Sequence, residues 1–487
     1  MFQDIPRPGL WKRLLIGGFL VVFAAAAATA VAAFHEIDKV VSALELNPEL
    51  KLGKNALAIS DPGEPQTLLI LGSDRRPKQN AEGASGARSD TIMLVRLNPH
   101  KEATAIMSLP RDLKVRIPGH GVDKINAAYE FGGPALTLKT VTNLTGLPVN
   151  HVINVTFKGF WRAVNAIGCV YADVDRDYFN DSGEFAYINI DPGYQRLCAR
   201  QALQYVRFRH FDTDLVRSAR QQDFLRQMKQ QVTYTELIKN RDRLMKIFGR
   251  NTATDATLRS RKEILRLLKL ALFSASQPIQ EIHFEGEIGP SFVEASNAQV
   301  KKLVQRFLSV QDSPGPRGRA PGERPARKPR RKQRRSAQAL NLYDATATGE
   351  DQGLQTVQAG AGGSLPVYYP TLLLNSSQFA PPPRVYKLRG TDGKKHGAYR
   401  MVIRRTNAIG EYYGLQGTTW KDPPILDEPS ETRKIGGREY QLYFAGDRLR
   451  LVAWRTKKAA YWISNTLLQT LTKKQMMAIA RSARRCC

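Results

Sequence analysis

Two aspartates and a dense set of arginines carry the chemistry of this 487-residue chain. Asp74 closes on the apolar run Thr67–Leu71, Asp90 opens the run Asp90–Leu97, and Arg111 follows the run Ala103–Ser108. Short apolar runs bounded by turn residues predict strands, and Asn98-Pro99-His100-Lys101 between the second and third predicts a hairpin turn. An antiparallel hairpin returns Asp90 and Arg111 to one sheet edge. The loop Gly83–Gly86 lies between Asp74 and Asp90 and lets the two carboxylates meet. Two carboxylates with no histidine beside them suit a hard, oxygen-seeking ion such as Mg2+ or Mn2+. Taken alone they read better as ordinary surface aspartates.

A second cluster changes that reading. Alternation in Tyr205-Val206-Arg207-Phe208-Arg209 predicts a strand with both arginines on one face and Val206 and Phe208 on the other. Asp214, Arg217 and Gln221 follow. Arg217 and Gln221 stand four apart on a predicted helix, in line with the apolar Phe224, Leu225 and Met228, so they extend its buried stripe into a polar cavity. Guanidinium forks grip phosphate oxygens two at a time. Four or five of them beside a carboxylate pair point to a pyrophosphate and its metal ion.

The elements that must hold these groups alternate. After the three strands, helical patterns fall at 133–145, 157–167, 216–232 and 257–275, then a strand near 281–285 and a helix near 296–309. That order predicts one α/β or α+β domain of about 245 residues.

Six motifs occur in order: Leu71-Gly72-Ser73-Asp74-Arg75-Arg76, Arg88-Ser89-Asp90-Thr91, Ser108-Leu109-Pro110-Arg111-Asp112, Lys124-Ile125-Asn126-Ala127-Ala128-Tyr129, Tyr205–Arg209, and Asp214-x-x-Arg217-x-x-x-Gln221. Together they resemble the LytR-CpsA-Psr family of bacterial cell-wall enzymes over residues 66–310. The resemblance implies an α/β/α sandwich with a mixed sheet, a hydrophobic slot for a polyprenyl chain and an arginine-lined mouth. It implies a transferase that moves a glycopolymer from an undecaprenyl-pyrophosphate carrier to peptidoglycan through a phosphodiester bond. Carried over by position, Asp74 and Asp90 hold Mg2+, and Arg111, Asp90 and Asp74 are catalytic. Arg88, Arg111, Arg207, Arg209, Arg217 and Gln221 hold the pyrophosphate, and Asp214, Lys124 and Asn126 support that shell. The base for the acceptor hydroxyl is Asp90, Asp74 or a metal-bound water.

Outside this block, Leu14–Phe34 is a run of 21 uncharged residues behind Lys12 and Arg13. As a helix it reaches about 31 Å, the depth of a bilayer's hydrocarbon core. The flanking charges keep residues 1–13 in the cytoplasm and everything after the span outside. A cleaved signal peptide is the competing reading, with small residues at Ala24–Ala28. Residues 35–65 are expected to be a stalk. Net charge is +29, and Ser313–Ser336 holds ten Lys or Arg, one acid and five prolines. Such a stretch is a disordered linker, assigned to 311–365. Outside the cytoplasm it meets membrane and wall polymers, and no nucleic acid.

Residues 366–482 read as a smaller β-rich α+β accessory domain whose aromatics, Trp420, Tyr440, Tyr443, Trp454 and Trp462, are core rather than a glycan groove. Its last stretch, Tyr461–Ala480, reads as one or two helices. Cys169 and Cys198 form a disulfide or a buried thiol pair. A pyrophosphatase and a non-catalytic wall-binding protein are the alternatives to the transferase.

Overall fold

The structure is a computed structural model that describes residues 38–61, 63–73, 89–101, 103–182, 187–208, 212–275, 277–309 and 340–487. The expected span 14–34, the basic stretch 313–336, and Asp74, Arg88 and Arg209 lie outside the described residues. Among the described residues no helix is long and apolar enough to cross a membrane.

Three strands make the centre: β1 (Gln66–Ser73), β2 (Ser89–Leu97) and β3 (Thr104–Leu109). β1 is buried at Thr67, Leu68, Leu69 and Leu71, the pattern of a strand covered on both faces. The β2–β3 turn is set by Asn98, whose side-chain oxygen accepts the His100 amide at 2.9 Å. A two-stranded ribbon follows, β4 (Lys114–Ile117) and β5 (Gly121–Lys124), and then helix α1 (Ala127–Thr145). β6 (His151–Thr156) runs parallel to β1 and leads straight into α2 (Phe157–Ala166). The Thr156 hydroxyl caps α2 by accepting the Gly159 amide.

Next come β7 (Val170–Val174), β8 (Tyr178–Asn180), β9 (Ile188–Ile190) and β10 (Gly193–Leu197), then α3 (Ala199–Arg207) and α4 (Asp214–Gln231). α5 (Arg241–Asn251), β11 (Thr252–Thr254), α6 (Arg261–Ala275), β12 (Ile279–Ile282) and α7 (Asn297–Leu308) complete this half.

The main sheet is mixed, in the order β11-β6-β1-β2-β3-β12. Ala105, Met107 and Leu109 of β3 enter a core with Tyr129, Leu138 and Val141 of α1 and Val300, Leu303 and Phe307 of α7. Alternation turns Ile106 and Ser108 to the other face, along which α4 runs. Helices on both faces make the expected α/β/α arrangement.

Four expectations are corrected. Tyr205–Arg207 is helical, not a strand, because Ala202, Tyr205 and Val206 share the buried side of α3 and extend its period. Phe208, just past the helix, leaves the helical conformation at φ −52° and ψ 135°. The described part of the expected stalk packs on the domain. Leu44 and Leu50 are buried, and the Leu50 amide donates to the Thr254 carbonyl at 3.0 Å, covering the β11 edge.

The expected linker ends early. Leu342–Asp344 is a strand and Thr346–Gln358 a helix, so the C-terminal unit begins near 340, and it runs on to a buried Cys486 past 482. Finally, Tyr461–Ala480 holds the strand Ala460–Ser464 and the helix Lys473–Ser482 rather than helices alone.

The C-terminal unit is a seven-stranded antiparallel sheet, running from Ser377–Arg389 at one edge to Glu431–Ile435 at the other. Trp420, Tyr440, Tyr443, Trp454 and Trp462 are all buried in it or beneath it. It packs on the back of the first unit. Tyr171 and Tyr194, from β7 and β10, share a core with Trp420 and Trp462. Asp173 of β7 accepts from Arg400 Nη1 at 3.2 Å and from the Trp462 indole at 3.3 Å.

Candidate active site

The site forms where β1, β2 and β3 end together. β1 and β2 pair in register up to Gly72 opposite Thr91, and then Ser73 pairs with Ser89, so Asp90 is the extra residue of a β-bulge. A bulge leaves its extra residue outside the ladder and re-aims its side chain. Both groups of Asp90 are used. Oδ1 accepts from Arg111 Nη1 at 3.2 Å, and Oδ2 from Arg207 Nη2 at 3.2 Å. The Asp90 carbonyl accepts from Arg217 Nη2 at 3.3 Å. Among the described residues, three guanidinium groups therefore converge on one residue.

Around them a carboxylate shell fixes the arginines. Arg111 Nε lies 3.5 Å from Asp112 Oδ2 and 3.6 Å from Asp214 Oδ1, and Asp214 also pairs with Arg217. Lys124 reaches Asp112 at 3.0 Å. Asn126 is buried, and its backbone amide donates to the Arg111 carbonyl at 3.1 Å. Arg217 is 4% exposed and Arg111 17%, whereas Arg207 is 41% exposed and lies over the Phe157 ring at 3.9 Å. Arg111 and Arg217 are thus set in place, and Arg207 stands at the rim. Gln221 does not reach the cluster: its amide donates to the Val206 carbonyl at 3.2 Å and ties α4 to the end of α3.

Several contributors were not singled out from sequence. Asp112 bridges Arg111 and Lys124. Phe157 is the platform under Arg207. Arg220, fully buried, donates to the carbonyls of Tyr205 and Phe208 at 2.9 and 3.1 Å and pairs with Asp212, so it holds the chain between α3 and α4. Arg220 sits in an otherwise polar stretch, and only its place one helical turn from Arg217 marked it. Behind this clamp, burial raises the Asp175 carboxyl, which accepts from the Tyr178 hydroxyl at 2.5 Å. Beneath the mouth, Ser73, Tyr129 and Asn154 form a buried network. The Tyr129 hydroxyl donates to Ser73 at 3.2 Å and accepts from Asn154 Nδ2 at 2.8 Å.

An apolar cleft of about 360 Å3 opens beside the rim, lined by Val155, Phe160 and Ala163, by Leu244, Met245 and Phe248 of α5, and by Val40 and Ala43. α2 joins the two features, since its first residue, Phe157, carries Arg207 and its next turns face the cleft.

Asp90 supplies hard carboxylate oxygens at this mouth, and among the described residues no group of three or more His, Cys, Asp or Glu is placed to hold a metal. That donor set suits an ion held by one or two carboxylates together with substrate phosphates, as Mg2+ is. Cys169 and Cys198 are bridged, with Cα atoms 4.5 Å apart.

The LytR_cpsA_psr family model matches residues 23–307. The polyisoprenyl-teichoic acid–peptidoglycan teichoic acid transferase TagT of Bacillus subtilis (strain 168) is 31% identical over 315 residues, 62% of this chain and 95% of that protein. A TagU transferase of the same description from Enterococcus faecalis is 29% identical over 258 residues, 52% of this chain and 80% of its own. Among solved structures, TagT bound to LI-WTA aligns at 27% identity with a TM-score of 0.41, covering 54% of this chain and all of that one. The match takes in β1 to α7 and every residue of the arginine cluster: the chain belongs to the LytR_cpsA_psr family.

Proposed function

We propose that this protein is a membrane-anchored, Mg2+-dependent transferase that moves a wall glycopolymer from an undecaprenyl-pyrophosphate carrier to peptidoglycan. One observation carries the reading: three guanidinium groups among the described residues gather on the bulged residue Asp90, and α2, whose Phe157 lies under Arg207, goes on to line an apolar cleft. The pairing suits an amphiphile with a diphosphate head and a hydrocarbon tail. The names of its relatives, polyisoprenyl-teichoic acid–peptidoglycan teichoic acid transferases, support the same substrate class.

In this reading the isoprenoid lies along Phe160, Leu244 and Met245, and the diphosphate sits between Arg111, Arg207 and Arg217. Asp90 and Asp214 keep the forks apart and aimed, so their remaining N–H groups face the phosphate oxygens without reorganisation. An acceptor hydroxyl attacks the phosphorus that carries the glycan and gives its proton to a carboxylate base, Asp90 or Asp74, as the bond to the polyprenyl phosphate breaks and that group leaves. Arg111 and Arg217 stabilise the charge that builds on the leaving group. Phosphoryl transfer depends mostly on such positioning and charge. Asp90, with Asp74, would hold Mg2+, which supplies further charge neutralisation across the diphosphate. The bond energy is already present in the carrier, so no nucleotide is needed.

The test is to incubate the purified protein with a lipid-pyrophosphate glycan and peptidoglycan and look for the covalent conjugate. Release of free glycan phosphate alone would make it a pyrophosphatase. EDTA should abolish conjugation and added Mg2+ restore it; turnover indifferent to chelation would remove the metal from the reading.

A further inference from the structure

The two helices that wall the apolar cleft carry a second feature on their outer side. Between α2 and α5 runs an open groove of about 560 Å3, lined by Trp161, Arg162, Arg243, Lys246, Ile247 and Arg250. Ile247 lines both the groove and the cleft, so the basic groove is the outer rim of the slot. Arg243, Lys246 and Arg250 stand at i, i+3 and i+7, one exposed face of α5, while Leu244, Met245 and Phe248 face the cleft. A helix with cations on one side and large apolar residues on the other is built for a membrane interface. Trp161, half-buried beside it with Arg162 over its ring, is the aromatic that such interfaces collect.

The chain's own connectivity says which membrane. Val40 and Ala43 line the cleft, and the apolar run ends at Phe34, four residues before the helical turn that begins at 38. Four residues reach at most about 14 Å. If that run spans the bilayer, the short tether keeps the cleft lined by Val40 and Ala43, and the α2 and α5 face beside it, within reach of the membrane surface.

We infer that the α2–α5 face docks on anionic phospholipid headgroups, so that the apolar slot opens at the lipid surface and receives the carrier's tail without its crossing water. The inference rests on the lipid-linked substrate and the anchor of the preceding section, but it concerns other residues and another readout.

The experiment uses the full chain reconstituted into vesicles of phosphatidylcholine alone or with phosphatidylglycerol. Tryptophan quenching by a headgroup nitroxide lipid is read for the native chain and for Trp161→Phe, and the difference isolates Trp161. Quenching of Trp161 should be strong only with phosphatidylglycerol, and the docking equilibrium it reports should weaken about fivefold per unit of charge, hence roughly thirtyfold for each two-unit reversal in Arg243→Glu, Lys246→Glu and Arg250→Glu. Quenching that ignores phosphatidylglycerol or the charge reversals would overturn the inference. So would protection of Trp161 from acrylamide by a soluble polyanion with no lipid effect. Transfer measured in detergent micelles should be unchanged in the reversed variants, and a loss there would make the face part of the site instead. If Arg111→Ala keeps its activity the transferase reading fails, while the quenching result still decides the docking.

Discussion

The two halves of the molecule bury charge to opposite ends. In the first, the ion pairs of Arg111, Arg217, Asp90 and Asp214 gather where β1, β2 and β3 end, with Arg207 exposed at their rim. In the second, buried charges point back into the first half and close on it. Arg400 reaches Asp173, and Gln469 donates to Glu281, which also accepts from Arg226 of α4 at 2.7 Å. Leu467 packs on Val216 and Ala219, and the Arg176 guanidinium lies over Tyr412 at 5.3 Å. The front of α4 presents Arg217 to the site, and its back is clamped by the C-terminal sheet. A region beyond the family match thus supports the helix that carries part of the site.

The sharpest break of this contrast is Arg111→Ala. Loss of one preorganised donor to a charged transition state costs about 10²–10³ in turnover. Conjugate formation should fall by that factor with an unchanged melting temperature. A fall in melting temperature instead would make Arg111 structural and erase the distinction between the halves.

Asp173→Ala should do the reverse. It leaves Arg400 buried without its carboxylate, a loss of about 3–5 kcal/mol in stability. Thermal or denaturant unfolding measures it, and a change under 1 kcal/mol would mean that the halves are only loosely joined.

A smaller effect belongs to the rim. Phe157→Leu removes the ring under Arg207, worth about 0.5–1 kcal/mol at an exposed site. The apparent KM for the lipid substrate should rise up to about fivefold with kcat nearly unchanged, and a collapse of kcat would move Arg207 from the rim to the centre.

The smallest effect is in pH. Burial, with Arg448 and Arg306 nearby, holds the His283 imidazole down to about 3. The unfolded chain takes up that proton first, so stability is level above about pH 6.5 and falls as pH drops toward 3. Glu281, raised to about 7 by burial despite Arg226, works the other way and loses its contribution as pH rises through 7. His283→Asn should flatten the acid side of a plot of melting temperature against pH, and an unchanged slope would count against this account.

Much of the site was legible because it rests on local pattern. Three apolar runs and an Asn-Pro turn were enough to bring Asp90 and Arg111 to one edge. The bulge at Asp90 was not legible, because it depends on how β1 and β2 meet across fifteen intervening residues, 74–88. Alternation at 205–209 misled, since five residues satisfy a period of two while the buried Ala202, Tyr205 and Val206 obey the helical one. The C-terminal unit was cut short for a different reason. Gly349 and Gly353 fall within the stretch assigned to the linker, yet a Cβ at Gly349 would lie 2.7 Å from the Pro370 carbonyl, and one at Gly353 would lie 3.0 Å from Cys486 Sγ. There glycine is the packing surface of a helix.

The bridge between Cys169 and Cys198 has a consequence in time. It joins the residue before β7 to the one before α3, the helix that ends at Arg207, and closes a loop of 29 residues. A closure of that length is worth about 3–4 kcal/mol of restriction on the unfolded chain. Until an oxidant has acted, α3 is held at its Arg207 end by Arg220 and Gln221 and lacks the covalent tie at its start. That restriction is in place only where thiols oxidise, so the chain gains this share of its stability outside a reducing compartment.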